Sequence, residues 1–287
     1  MRYRGREFSE AEMTAIRQMM AENPCMNRVG LSRAVCEKFN WRKPDGGLKE
    51  MACRVAMLAM ERDGLIKLPL RQTGGNHCGK PWQKRVEGAD PGEPVSGLVG
   101  DIGAIRLVPV RPGLESYLWN DLVHRYHYLG YTRPGGAQMR YLAYAGDRLL
   151  GCLAFSAAAW KTKPRDSFIG WTPEQREKRL HLVVDNSRFL ILPWVKVPHL
   201  ASKLLGLAAR RIPSDWQSRY NYRPLLIETF VDKERFLGTC YKAANWIHVG
   251  DTQGRGRYDT KHLAHGKSIK SVWVYPLSRN FRETLSA

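Results

Sequence analysis

Apolar residues in the first 70 positions recur at helical spacing. Behind Ser9, with Glu10 and Glu12 following, come Met13, Ile16, Met19 and Met20, which predicts an N-capped helix that stops before Pro24. Leu31, Val35 and Phe39 share one face of a second helix over 31–39. The polar turn Trp41-Arg42-Lys43-Pro44-Asp45-Gly46-Gly47 then precedes a third helix over 48–63. Leu48, Met51, Ala52, Val55, Leu58 and Ala59 carry its apolar pattern, and Gly64 is a natural stop. Leu65-Ile66-Lys67-Leu68-Pro69 alternates and predicts a strand.

Three short helices followed by a strand is the order of a winged helix-turn-helix, in which the third helix enters the major groove of DNA. Lys49, Arg54 and Arg62 would then face phosphates or bases; a small helical bundle for protein contacts is the alternative. Residues 71–100, rich in Gly, Pro, Lys and Glu, have few apolar positions and predict a linker. From residue 105 strands alternate with helices. Strands are predicted over 105–110, 140–145, 149–155, 188–192, 224–231, 246–249 and 269–275, with helices over 115–127, 198–211 and 235–244. Gly146-Asp147 marks a two-residue hairpin. The expected fold class is α+β: a winged-helix-like domain over 1–72, a linker over 73–100 and a mixed α/β sheet domain over 101–287.

Charge sharpens this picture. Among 287 residues, 46 Lys and Arg face 27 Asp and Glu, for a formal net charge of +19. Such an excess attracts polyanions by releasing their counterions. Basic residues interleave with aromatics and Gly rather than lining one amphipathic helix, which favours nucleic acid, DNA above all, over anionic lipid. No stretch approaches the ~20 apolar residues of a membrane span. The basic start Met1-Arg2-Tyr3-Arg4-Gly5-Arg6 lacks the apolar run of a signal peptide. The six cysteines show no C-x-x-C spacing, so reduced thiols and a cytoplasmic location are expected. His77 and Cys78 lack partners at zinc-ligand spacing, and no metal is expected.

Leu225-Leu226-Ile227-Glu228-Thr229-Phe230-Val231-Asp232, a helix ending in Tyr241-Lys242-Ala243-Ala244-Asn245-Trp246, and then Val249-Gly250 together resemble the C-terminal half of the GNAT acyltransferase fold. In that fold Gly-Phe is usual where Asn245-Trp246 stand. The phage Mu Mom protein, which modifies adenine in DNA, resembles the same fold. A resemblance over nearly the whole chain is carried by Leu48-Lys49-Glu50-Met51-Ala52-Cys53-Arg54, by His127-Tyr128-Leu129-Gly130-Tyr131, by 188–202 and by 238–257. These strings look like the DruA family, found in Druantia anti-phage systems and beside transposases. The resemblance implies DNA-linked work, with other defence-system or transposase proteins as partners. It leaves two readings: a GNAT-like domain that modifies or processes nucleic acid, or a non-enzymatic recognition subunit.

For the first reading the resemblance supplies Tyr241 as the general acid of GNAT enzymes; packing at a helix end is the alternative. Glu228 alternates in phase with Leu226 and Phe230, so its carboxylate lies on an apolar face. Burial there suits a base, and a salt bridge to arginine is the other outcome. Asp232 closes the strand, as a ligand-side carboxylate or a helix cap. His127 is a candidate proton shuttle or a capping residue. Asn186 and Arg188 are candidates to read a base or hold a phosphate. The loop Pro193-Trp194-Val195-Lys196-Val197-Pro198-His199 has no glycine, and its prolines donate no N–H, which argues against acyl-CoA and leaves any cofactor unknown. Lys196, and Gly254-Arg255-Gly256-Arg257 continued by Lys267, are the phosphate-contact candidates of this domain. Trp160, Trp194 and the segment 160–165 are candidates to stack on exposed bases. Asp166, Asp185, Glu228, Asp232 and Asp251 are too scattered in sequence for a metal nuclease.

Overall fold

The computed structural model describes residues 1–70, 85–132, 135–254 and 268–287. The chain divides into two compact units, Met1–Lys80 and Pro81–Ala287.

In the first unit two short strands, β1 (Arg2–Tyr3) and β2 (Arg6–Glu7), pair antiparallel ahead of the helices. Ser9 then caps α1 (Glu10–Glu22): its hydroxyl accepts the Glu12 N–H while the Glu12 carboxylate accepts the Ser9 N–H, satisfying two donors that the helix start leaves open. Asn27 does the same for α2 (Arg28–Lys38) by accepting the N–H groups of Val29 and Gly30. α3 (Glu50–Arg62) follows, and Met13, Ile16, Leu31, Val35, Met57 and Met60 fill the space between the helices.

No strand forms over 65–69, against expectation. Ile66 and Leu68 are buried and Lys67 is exposed, so the alternation is real. Its ladder groups are taken by helix side chains instead. Glu61 Oε1 accepts the Leu68 N–H at 2.8 Å, and Arg28 Nε donates to the Pro69 carbonyl at 2.7 Å. The described part of this unit is thus three helices with the small β1–β2 sheet ahead of them and no strand after α3.

The second unit runs β3 (Val95–Ser96), β4 (Ile105–Pro109), α4 (Leu114–Tyr126), β5 (Gln138–Ala145), β6 (Arg148–Ala157), α5 (Lys163–Ile169), α6 (Pro173–Arg179), a 3-10 turn (Leu180–Leu182), β7 (Val183–Ile191), β8 (Val195–Lys196), α7 (Leu200–Tyr220), β9 (Leu226–Asp232), α8 (Thr239–Ala243), β10 (Ile247–Asp251), β11 (Lys270–Pro276) and α9 (Phe281–Ser286). Seven strands form one sheet in the order β10-β11-β9-β7-β6-β5-β4. Every neighbouring pair in it is antiparallel except β7 and β9, which run parallel.

Two-residue alternation sorts side chains onto the two faces. Val184, Ile227 and Trp273 join the larger core, where Leu204, Ala208 and Trp216 of α7 and Trp119 and Leu122 of α4 pack. Val183, Leu226 and Val274 point the other way, against Ile169, Phe281 and Leu285.

The linker expected over 73–100 is corrected from residue 85 onward. Ala89 and Val95 are buried in the larger core, the Tyr126 hydroxyl donates to the Ala89 carbonyl, and Val95–Ser96 pair in parallel with Val195–Lys196. Gly, Pro and charged residues dominate 85–100, yet a few apolar anchors suffice to hold it down. The helix expected over 235–244 shortens to α8, because residues 233–238 make a turn around Asp232. The short helices α5, α6 and α9 went unread. Among the described residues no helix is long and apolar enough to cross a membrane.

Candidate functional site

The parallel strands β7 and β9 are paired over only three residues, Val183–Asp185 against Leu226–Glu228. Beyond that point they part. On its other side β7 slips against β6 between the pairs Phe155↔Asn186 and Ala154↔Arg188, leaving Ser187 as a bulge. A gap between the carboxyl ends of adjacent parallel strands is where α/β sheets commonly receive ligands.

Polar side chains fill the start of this gap. The Thr229 hydroxyl donates to the Asn186 carbonyl at 3.1 Å, and the Tyr241 hydroxyl donates to Asn186 Oδ1, also at 3.1 Å. Asn186 Nδ2 in turn donates to the carbonyls of Ala154 and Arg188. Tyr241 is buried, edge-on to Trp246 at 5.0 Å, and burial pushes its phenol well above the ordinary range. Asn245 explains how the chain turns there without the expected glycine: at φ +62° it adopts the left-handed conformation, which asparagine tolerates. The Tyr241 proton is committed to an internal acceptor, so the ring closes the gap instead of lining it.

Glu228 is fully buried and paired. Arg165 Nη1 reaches its two carboxylate oxygens at 2.9 and 3.1 Å, and the Ala159 N–H donates to Oε1 at 2.9 Å. Desolvation pushes the Glu228 carboxyl up, and the Arg165 guanidinium opposes that shift. Arg165 itself has no exposed surface. It also pairs with Asp166, which further accepts from Trp171 Nε1 and from Arg176. Two sequence readings meet here and one is corrected: Arg165 cannot contact a nucleic acid, because it neutralises the only buried glutamate among the described residues. Trp194 is likewise half-buried, edge-on to Tyr126 at 5.2 Å, and not a free stacking platform. Trp160 stays exposed, with the Arg176 guanidinium over its ring.

Around the end of the gap the side chains differ in exposure: Tyr128 is exposed, His127 and Arg188 are half-buried and Asp232 is buried. His127 ends α4, and its ring stacks on Tyr128 at 4.9 Å. The Leu129 N–H donates to His127 Nδ1, and burial together with the Arg188 charge pushes the imidazole down to about 4. It is therefore neutral at pH 7, with the proton on Nε2. Tyr128 also meets Phe236 edge-on at 5.5 Å, and the Arg235 guanidinium lies over the Tyr128 ring at 5.2 Å. Arg188 is spent on protein oxygens: Nε on the Gly130 carbonyl, Nη1 on that of Ser187 and Nη2 on the Thr132 hydroxyl. Asp232 Oδ1 accepts the Glu234 N–H and Oδ2 accepts the Ser268 hydroxyl, so this carboxylate organises the turn and does not cap α8.

The structure thus brings His127, Arg188 and Asp232 to one end of the sheet, with Tyr241 beneath them and Glu228 apart in the Arg165 pair. Tyr128, which lies in the string 127–131 that carries the family resemblance, joins them although that string assigns it no role, and Arg235 and Phe236 carried no local motif. The one available signal was an aromatic beside a cation in each of two segments far apart in sequence, and no local pattern pairs them. Lys196 is exposed on β8. In the first unit Lys49 precedes α3 without capping it, and Arg54 lies beside Met51 on the outer face of that helix. Arg255, Arg257 and Lys267 lie outside the described residues, as do His77 and Cys78.

The loop between β7 and α7 is held by the chain's own backbone. The Trp194 carbonyl accepts from Val95, the Val195 N–H donates to the Leu192 carbonyl, and the Leu200 N–H at the start of α7 donates to the Val197 carbonyl. Pro193 and Pro198 have no N–H and those of Val195 and Leu200 are engaged, so this glycine-free helix start offers fewer donors to a pyrophosphate than the acyltransferase resemblance would require. Among the described residues, no three His, Cys, Asp or Glu side chains converge as metal ligands would.

Comparison with known families matches residues 59–268 to the family described as Druantia protein DruA. A comparison with curated proteins finds no significant match. Similar solved structures include FeeM, an N-acyl amino acid synthase from uncultured soil microbes. It is 11% identical, with 61% of this chain and 93% of that one covered at a TM-score of 0.38. A GNAT family acetyltransferase from Elizabethkingia anophelis with acetyl-CoA bound is 9% identical, with 60% and 97% covered at a TM-score of 0.36. A SpeG spermidine N-acetyltransferase mutant from Vibrio cholerae is 15% identical, with 58% and 74% covered at a TM-score of 0.33. Likenesses at this level speak to neither activity nor ligand.

Proposed function

The chain belongs to the DruA family, and from that premise we propose that it binds DNA within a phage-defence or mobile-element setting, its GNAT-like sheet serving as a scaffold. One observation carries this reading. The two residues an acyltransferase-like chemistry would use, Tyr241 and Glu228, are both buried and engaged with protein partners, Asn186 and Arg165. What the protein turns outward is cationic and aromatic. In the first unit α3 exposes Met51, Leu58 and Arg62 along one face with Arg54 between them, the composition expected of a helix laid into a major groove and of a winged-helix-like recognition unit. In the second unit Tyr128, Arg235 and Phe236 supply rings and charge. A net charge of +19 raises the encounter rate with any polyphosphate. Cytoplasmic location and partner proteins of the defence or transposition machinery accompany this reading.

A modifying activity is the second reading, and the observation favouring it is that the short pairing of β7 and β9 leaves the carboxyl ends of two parallel strands side by side, with the buried Asp232 at the end of β9. Mass spectrometry of DNA incubated with the protein separates the two, since only an enzyme leaves a mass change. The first reading is tested by titrating labelled DNA against the protein at several salt concentrations. The logarithm of the association constant should fall linearly with that of salt, with a slope implying several phosphate contacts. A flat response removes the proposal. Arg54→Ala with Arg62→Ala should weaken duplex binding and lower that slope.

A further inference from the structure

We propose that the ledge formed by Phe236, Tyr128 and Arg235 receives an unstacked base, so that the preferred ligand of the sheet unit is single-stranded or locally opened nucleic acid. This rests on the reading that the protein binds nucleic acid, and it names the form of strand that the second unit takes.

Phe236 and Leu237 are 51% and 86% exposed, a large apolar surface for two consecutive residues at the end of a central strand. They do not dangle. The Asp232 carbonyl accepts the N–H groups of Arg235 and Phe236 at 3.1 and 2.9 Å, and the Asp232 side chain accepts that of Glu234. Gly238 closes the turn at φ +73°, where an added Cβ would sit 2.9 Å from the Trp273 ring. The Phe236 ring is therefore presented on a fixed turn, and little backbone entropy remains to be lost on binding. Behind it Tyr128 and His127 continue a pile of rings.

The charge beside the ledge selects the occupant. Lys233 is paired with Asp251, and Arg188 donates to three protein oxygens. Arg235 makes no ion pair among the described residues, and its guanidinium lies over Tyr128 without a carboxylate partner. It is long enough to swing from that ring to a phosphate. A ring for a base beside a cation for its phosphate is how proteins hold single strands. Duplex DNA buries the faces of its bases, so only an unpaired base has a π-face to offer. An apolar protein segment would use Phe236 and Leu237 equally and would have no need of Arg235.

The test uses the full chain with a single strand carrying 2-aminopurine and with a duplex of equal length. Wild type should bind the single strand more tightly and quench its fluorescence. Phe236→Ala should cost about 5- to 150-fold in single-strand affinity, the range for losing one stacked base, with duplex binding little changed. Phe236→Trp should retain binding, and Phe236→Leu, which keeps apolar area without the ring, should lose as much as alanine. Arg235→Gln should weaken single-strand binding and reduce its salt slope. Phe236 is exposed, so these variants should keep the wild-type circular dichroism spectrum and melt. If wild type binds DNA but Phe236→Ala or Phe236→Leu binds single strands as well as wild type, the ledge is not a stacking site and this inference fails while DNA binding stands. If wild type binds neither strand form at low salt, the underlying reading fails instead.

Discussion

Arg165 Nη1 holds both oxygens of Glu228, at 2.9 and 3.1 Å, where neither side chain has any exposed surface. The pair joins α5 to the central strand β9. Breaking such a pair is costly because the remaining charge is stranded in the interior, whereas replacing both partners by apolar groups is often tolerated.

Arg165→Met should therefore lower unfolding free energy by about 3–5 kcal/mol, with Glu228 left uncompensated. Arg165→Met combined with Glu228→Leu should recover much of that loss, and Asp166 keeps Arg176 as its partner in both variants. Urea denaturation of the three proteins checks this. Equal destabilisation by the single and double replacements would mean that the pair is not what holds Glu228.

Tyr241→Phe should cost about 1–2 kcal/mol, because Asn186 Oδ1 loses its donor in a buried site. Asn186→Ala should add less on top of Tyr241→Phe than it costs in wild type, since the two residues share one bond. DNA affinity should not change. Loss of a DNA modification with unchanged stability would instead mark Tyr241 as catalytic.

Gly238→Ala should destabilise by about 2–4 kcal/mol: φ is +73°, and an added methyl would sit 2.9 Å from the Trp273 ring. Gly146, at φ +57° with no atom near the added methyl, provides the comparison, and its alanine variant should cost only about 1 kcal/mol. Thermal melts of the two variants separate backbone strain from collision.

His127 gives the protein an acid-sensitive contribution. Its imidazole is pushed down to about 4 from an ordinary 6.5, so the unfolded chain takes the proton more readily. The stability tied to the neutral ring is complete above pH 6.5 and is lost as pH falls toward 4. For a half-buried ring this amounts to about 1–2 kcal/mol after solvent screening. His127→Asn retains an acceptor for the Leu129 N–H and should flatten that acid limb in denaturation midpoints measured between about pH 7 and pH 4.5.

Much of the fold was legible because the forces that place elements are local. Ser9 with Glu12 announces α1, and Gly146-Asp147 announces the β5–β6 hairpin. Where expectation failed, a nonlocal partner intervened. The alternation at 65–69 found Glu61 and Arg28 side chains instead of a strand, and residues 85–100 found a core under Ala89 and Val95 that composition alone could not reveal. The seven-residue helices α5 and α6 are too short for periodicity to register.

The sequence by itself determined most of the helices and strands, the excess of positive charge and the family, because caps, periodicity, charge and long distinctive strings are written in order along the chain. Only the tertiary structure decided what the polar residues do. Glu228 meets an arginine 63 positions earlier, the Tyr241 hydroxyl donates a hydrogen bond to Asn186, 55 positions earlier, and Tyr128 meets Phe236 across the end of the sheet. A buried polar group must find a partner, and which partner it finds depends on which strands lie side by side, a relationship that no local pattern encodes.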